Sequence, residues 1–118
     1  MKIALPMDDT KKNICVSFGR APFFLVHDTE TNADEFVVNP AAEAQGGAGV
    51  KAAQAVVDTG ADALITVRCG ENAAEVFQAA EIEIYKAEGL EAGANLAALA
   101  EGKLAKLTKF HAGFHGIR

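Results

Sequence analysis

The stretch from Gln45 to Asn72 limits the fold of this chain more than any other. It reads Gln45-Gly46-Gly47-Ala48-Gly49, an apolar run with helical spacing, Gly60, a nearly continuous apolar segment, and then Arg68-Cys69-Gly70-Glu71-Asn72. Val50, Ala53 and Val57, with Ala52 and Val56 beside them, recur at the spacing of one helix face, and Lys51, Gln54 and Asp58 fall on the other. Gly60 stands where a finished helix needs a residue that accepts the left-handed region. Ala63-Leu64-Ile65-Thr66-Val67 lacks the polar alternation of a half-exposed strand, so it has to be covered on both faces. A helix that feeds such a strand implies parallel pairing and a right-handed crossover. Each of the two glycine-bearing turns opens a helix.

Upstream of this stretch the apolar period is two. Ile3-Ala4-Leu5 predicts a short buried strand ended by Pro6, with Asp8, Asp9, Lys11 and Lys12 in a polar loop behind it. Ile14-Cys15-Val16 is a brief apolar patch and Phe18-Gly19-Arg20-Ala21-Pro22 a turn. Phe23 to His27 predicts a strand, Thr29 to Ala33 a turn, and Glu35 to Asn39 the second arm of a hairpin stopped by Pro40. Downstream, the pattern predicts a helix over 71–80 with Ala73, Val76, Phe77 and Ala80 inward, then a strand over 82–85. A third helix over 90–101 carries Ala92, Leu96 and Leu99 as its stripe and Gly102 as its stop. The order β-β-β-α-β-α-β-α specifies an α/β protein with a mixed five-stranded sheet flanked by helices, an arrangement like the ribonuclease H fold. Residues 1–102 are expected to form a single domain, and 103–118 a basic, flexible tail.

Strand directions bring distant loops together. If the first strand runs up, the third and fourth also run up, and both glycine turns lie at the top. The same end collects Met7 and Asp8, the segment from Cys15 to Arg20, Gly46 to Val50, Arg68 to Asn72, and Tyr85-Lys86. Ligands of open sheets sit in such crevices beyond the carboxyl ends of strands. Two helix N-termini offer unpaired N–H groups and partial positive charge, which favours an anion, and Arg20 and Arg68 add fixed cations.

Composition narrows the ligand. With a net charge of −5 on 118 residues, no basic stripe exists to neutralise a nucleic acid, so the anion is small rather than polymeric. No segment approaches the ~20 apolar residues of a membrane span, and Met1 to Pro6 is too short and too soon broken for a secretory signal. Two cysteines make no disulfide framework, so Cys15 and Cys69 are expected as reduced thiols in a cytoplasm.

Several chemistries can be weighed on the motifs. Gly47-Ala48-Gly49-Val50-Lys51-Ala52 fits the loose dinucleotide fingerprint, but Pro40 and further residues separate it from the preceding strand, and the next strand ends in Arg68 rather than an acid. Two-metal nuclease chemistry needs converging carboxylates, of which Asp8 or Asp9 supplies one and the fourth strand none. Cys15 between Ile14 and Val16 reads as a small buried hydrophobe. Cys69, between an arginine and a helix start, stands where a thiolate is stabilised. Without a C-x-x-C pair, neither a closed zinc site nor a four-cysteine cluster can be built. His111 and His115 offer soft nitrogen donors in the tail, while His27 and Phe18 read as structural, the latter also placed to cover a ligand.

Met1 to Met7, Phe18-Gly19-Arg20-Ala21-Pro22-Phe23-Phe24, the Gly46–Gly49 turn leading into Val50-Lys51-Ala52-Ala53, and Gly70-Glu71-Asn72-Ala73 followed by Ile84-Tyr85 resemble one family. This is the dinitrogenase iron–molybdenum cofactor biosynthesis family, the NifX and NifB C-terminal-like group. The resemblance runs over about residues 1–100, and F-G-R-A-P and G-x-N-A are its most specific segments. It implies a ribonuclease H-like fold and non-enzymatic binding or carriage of metal–sulfur clusters or their precursors. One branch, the orange proteins, holds a molybdenum–copper sulfide cluster.

The expected cargo is therefore an anionic molybdenum-containing cluster of Mo–Cu or Fe–Mo type, with no nucleotide. Cofactor-assembly or P-loop ATPase proteins are the implied partners, and neither nucleic acid nor membrane is. Phe18, Gly19, Arg20, Gly46, Gly47, Gly49, Arg68, Gly70 and Asn72 are the candidate cluster-binding residues, with Cys69, Cys15, His111 and His115 as candidate metal donors. Many members carry a histidine directly before F-G-R, where this chain has Ser17, so a histidine-ligated cluster at that point is not implied. A nucleotide- or phosphate-binding domain using the same turns, or a protein–protein adaptor, are the alternatives.

Overall fold

A computed structural model describes residues 1–44, 46–108 and Phe110. The elements follow in the expected order: β1 (Lys2–Met7), β2 (Phe23–Asp28), β3 (Asp34–Val38), α1 (Ala48–Asp58), β4 (Ala63–Thr66), α2 (Glu71–Ala79), β5 (Glu83–Lys86) and α3 (Ala92–Ala100). They build one mixed five-stranded sheet in the order β3-β2-β1-β4-β5. β2 pairs antiparallel with β1 and with β3, while β1–β4 and β4–β5 are parallel, as helix crossovers require. No helix among the described residues is long and apolar enough to cross a membrane.

Alternation along the strands divides the core into two layers. Ala4, Phe24, Leu64 and Ile84 face α1 and α2, where they meet Ala52, Ala53, Val56, Ala73, Ala74 and Phe77. Ile3, Leu5, Met7, Leu25 and Ile65 face the other way and pack with Ala92, Leu96 and Leu99 of α3. Heavy use of alanine thus has a local purpose: it lets α1 and α2 approach each other closely over one face of the sheet.

Pro6 does not end the first strand as expected. β1 continues through it to Met7, and Pro6 pairs with Phe24. The proline is tolerated because β4 pairs only at Ile3 and Ala4, so the missing N–H breaks no bond there. The Pro6 carbonyl instead accepts from the Cys15 N–H at 2.8 Å.

Helix α1 also differs in detail from its pattern. Its buried residues are Ala52, Ala53 and Val56, whereas Val50, expected on the inward stripe, is 41% exposed. The first turn of α1 overhangs the end of the sheet rather than lying on it. Gly60 (φ +81°) and Gly102 (φ +72°) follow their helices in the left-handed region, as anticipated. Beyond Gly102 the chain keeps packing. Leu104 is buried, and the Lys86 and Leu107 N–H groups bond the carbonyls of Ala105 and Ile84, so this segment covers the outer edge of β5.

Buried Asn95 is a polar exception in an apolar helix. Its Oδ1 accepts from the Glu88 N–H at 2.8 Å, and its Nδ2 donates to the carbonyls of Gly89 (3.3 Å) and Glu91 (2.9 Å). It therefore pins the turn that leads into α3. Asn95→Ala is expected to cost about 1–3 kcal/mol in denaturant unfolding, because it strands buried backbone groups. A loss below about 0.3 kcal/mol would show that the turn holds itself.

Candidate functional site

Four segments close on one cavity beyond the carboxyl ends of β1 and β4. They are Val16–Gly19 between β1 and β2, Gly47–Val50 at the start of α1, Arg68–Gly70 after β4, and Asn72 with Ala73 in the first turn of α2. The cavity measures about 320 Å³, the lower end of the size range for small-molecule sites. That volume suits one compact ligand rather than an extended dinucleotide.

The two helix starts meet here because both are built from small residues. A Cβ added at Gly49 would sit 3.7 Å from Ala73 Cβ, which measures how closely the first turns of α1 and α2 approach. Gly19 lies closer still to α1. A Cβ there would stand 3.2 Å from the Gly49 nitrogen and 3.3 Å from its Cα, a backbone contact that no side-chain rotation relieves. Gly47, the N-cap of α1, takes φ +68°, a conformation that glycine adopts without strain.

Neither helix start is capped by a side chain. The first intrahelical bonds are Lys51 N–H to the Gly47 carbonyl and Ala74 N–H to the Gly70 carbonyl. Ala48, Gly49 and Val50 in α1, and Glu71, Asn72 and Ala73 in α2, therefore have N–H groups without an acceptor among the described residues. Helix α3, away from the cavity, is different: Glu91 accepts from its Ala94 and Gly93 N–H groups. Of the six open donors, all but Glu71 belong to residues that line the cavity.

Charge in the lining has one sign. Arg68 is exposed and makes no ion pair among the described residues, and no Asp or Glu lines the cavity. On a chain of net charge −5 that is a local inversion. The rim is apolar: Val16 is 45% and Val50 41% exposed. Phe18 forms the wall behind, 4% exposed, with its ring 5.5 Å from Phe24 and 5.4 Å from Phe77, edge-on to the latter.

Among the candidate binding residues, Phe18, Gly19, Gly47, Gly49, Arg68, Gly70 and Asn72 line the cavity. Arg20 and Gly46 do not. The Arg20 guanidinium turns to the carbonyls of Ala42 and Ala44, and Gly46 is exposed beside the turn. Among the metal-donor candidates, Cys69 lines the cavity and Cys15 is half-buried outside it. His111 and His115 fall outside the described residues. Tyr85, expected at this end, donates its hydroxyl to Glu83 at 2.7 Å and is not in the lining. His27 pairs with Asp34 at 2.6 Å on the hairpin, in keeping with a structural role.

The thiolate expected at Cys69 is not what its surroundings support. The residue is 1% exposed, its S–H lies 3.6 Å from the Gly70 carbonyl, and burial pushes the thiol up to about 12. Desolvation outweighs the neighbouring helix start. Iodoacetamide at pH 8 is expected to label Cys15 in the native protein and to spare Cys69, as read by peptide mass spectrometry. Equal labelling of both would contradict the buried neutral thiol. The sign for stability follows: this group costs nothing below its ordinary value of 9.0, and stability falls as pH rises from there towards 12.

Asn39 was not among the candidates. It is 3% exposed and holds the loop behind the cavity, and the Asn-Pro pair at 39–40, a turn signal, was the available hint.

The sequence and the fold have known counterparts. The family model described as dinitrogenase iron-molybdenum cofactor matches residues 1–102. An uncharacterised protein of Methanocaldococcus jannaschii, MJ0580, is 31% identical over 109 residues, which is 90% of this chain and 91% of that protein. The apo form of the orange protein from Desulfovibrio gigas is similar with a TM-score of 0.85 and 31% identity, over 91% of this chain and 92% of that one. The Thermotoga protein TM1290 gives a TM-score of 0.79 and 34% identity, over 96% and 98% of the two chains. A match over residues 1–102 takes in every strand, every helix and all four segments of the cavity, and on it the chain belongs to the dinitrogenase iron–molybdenum cofactor family.

Proposed function

We propose that this protein is a non-enzymatic carrier of an anionic, molybdenum-containing metal–sulfur cluster, of Mo–Cu or Fe–Mo type, or of its precursor. One observation carries the reading: two uncapped helix starts and Arg68 converge on a small cavity that, among the described residues, no carboxylate lines. Open N–H groups and the helix dipoles favour negative charge at that point. The apolar contribution of Val16, Phe18, Ala48, Val50 and Ala73 favours sulfido ligands over phosphate oxygens. Sulfide is soft and weakly hydrated, so an apolar wall costs it little, whereas phosphate would lose strong hydration.

The cargo brings its own metal ligands. Among the described residues no group of three or more His, Cys, Asp or Glu side chains is arranged to hold a metal ion. Gly19, Gly47, Gly49, Gly70 and Asn72 present backbone to the cluster and Arg68 supplies charge, while Cys69, a buried neutral thiol in the lining, would ligate a metal only on losing its proton to it. The family description names the iron–molybdenum cofactor, which supports a cluster as the cargo, and the orange protein structure is of an apo form, which supports a ligand-binding role. Cofactor-assembly proteins, P-loop ATPases among them, load and unload it in a reducing cytoplasm on this reading.

Incubation of the metal-free chain with tetrathiomolybdate, with and without copper, is expected to give a coloured complex that survives desalting with stoichiometric molybdenum. Colour that leaves entirely with the small-molecule fraction would overturn the proposal. So would thermal stabilisation by phosphate or a nucleotide with none by the thiometallate.

A further inference from the structure

The cavity is framed in part by backbone from two segments that are not neighbours in sequence, the loop Val16–Gly19 and the start of α1, Gly47–Val50. Their separation is tightly set, because Gly19 packs backbone to backbone against Gly49. Two side chains bridge the segments on either side of this contact, reaching in opposite directions. Asn39 lies at the start of the loop that leads to α1. Its Nδ2 donates to the carbonyls of Gly19 (3.2 Å) and Ala21 (2.8 Å), and its Oδ1 accepts from the Ala41 N–H at 2.9 Å. The Asn39 N–H also donates to the Pro22 carbonyl at 3.1 Å. Arg20 reaches back the other way, with its guanidinium on the carbonyls of Ala42 and Ala44. It has no carboxylate partner among the described residues.

We infer that Arg20 and Asn39 are a paired clamp that presets the spacing of the two cavity walls, and that of the described residues Arg68 supplies the charge that meets the ligand. Arg20 is thus a positioning residue. Both its bonds leave from one terminal nitrogen, Nη1, at the end of a guanidinium whose planar geometry fixes its N–H directions. A lysine ammonium on a shorter, freely rotating stem can reach the same carbonyls only with looser geometry. The value of the clamp is preorganisation: a wall already at its bound spacing loses little freedom when the anion arrives.

The inference rests on the anion-binding reading for its effect on affinity, but the clamp can be tested without any ligand. Amide hydrogen exchange on the full, ligand-free chain reads the Ala41, Ala44 and Lys51 N–H groups, which are hydrogen-bonded in and beside the clamped loop. Arg20→Gln is expected to speed their exchange about fivefold or more relative to Val56 in mid-helix. Arg20→Lys should fall between, and Arg68→Gln should leave exchange unchanged. Titration with tetrathiomolybdate across a range of ionic strength then separates the two arginines. Arg20→Gln should weaken binding about tenfold while keeping the salt dependence of the unsubstituted chain. Arg68→Gln should weaken binding and flatten that dependence, because an exposed charge in contact with the ligand is the one salt screens.

A flattened salt dependence in Arg20→Gln would mean that Arg20 touches the ligand, and unchanged exchange would mean that no clamp exists; either overturns the inference. If Arg20→Gln fails to fold, Arg20→Lys still decides it. If the unsubstituted chain does not bind tetrathiomolybdate, the carrier function fails, while the exchange rates still settle the clamp.

Discussion

Gly49→Asp is expected to fold as stably as the unsubstituted chain and to lose its thiometallate binding. The position is the second residue of α1, its φ is not in the left-handed region, and an added Cβ meets only Ala73 Cβ at an ordinary 3.7 Å. An acidic side chain in the first turn interacts favourably with the helix dipole, so stability should stay within about 0.5 kcal/mol or rise slightly. The same carboxylate stands among the open N–H groups of the cavity lining. It would accept from them itself and repel an anionic ligand, a penalty of about 3 kcal/mol or more at close range, or roughly a hundredfold in affinity. Denaturant unfolding and tetrathiomolybdate titration on the same preparation check both halves. Retained affinity would place the ligand elsewhere, and an adaptor whose pocket is vestigial would become the better description.

The opposite separation is expected at Phe77. This ring is fully buried, faces Phe18 edge-on at 5.4 Å, and belongs to the core between the sheet and the two cavity helices. Phe77→Ala should cost about 3–5 kcal/mol in unfolding, a large share of the ~5–15 kcal/mol that holds a typical domain together. Phe18 would lose its support, so the cavity wall should loosen even where the variant remains folded. Phe77→Leu, which keeps most of the volume, is expected to recover most of the stability. A small loss for Phe77→Ala would mean that α2 is not seated on the sheet as described.

These two substitutions bracket what could be read from the chain alone. Element order, strand directions and the meeting of both glycine turns at one end follow from periodicity and from the geometry of crossovers, and the structure has them. Where expectation and structure part, tertiary context decided. Pro6 continues β1 because the partner on that side has already diverged, which no local pattern reveals. Val50 is exposed because the first turn of α1 projects past the sheet to rim the cavity.

Arginine and cysteine were ambiguous for a different reason. Arg20 and Arg68 look alike in sequence, yet one is used on loop carbonyls and the other lines the cavity with no ion pair among the described residues. Cys69 has the neighbours of a thiolate, but burial governs it. Asn39 and Asn95 were not anticipated because a polar residue that satisfies buried backbone is recognised only once the loops it joins are known.

On the proposed function the anion sits on backbone N–H groups of two helix starts. Amide shift mapping tests it directly, by following the resolved backbone N–H signals while tetrathiomolybdate is added to the metal-free chain. The largest changes are expected on Gly19, Ala48, Gly49, Val50, Asn72 and Ala73, with little change along β3 and α3. Changes centred on the β3 hairpin or on α3, with the two helix starts silent, would contradict it.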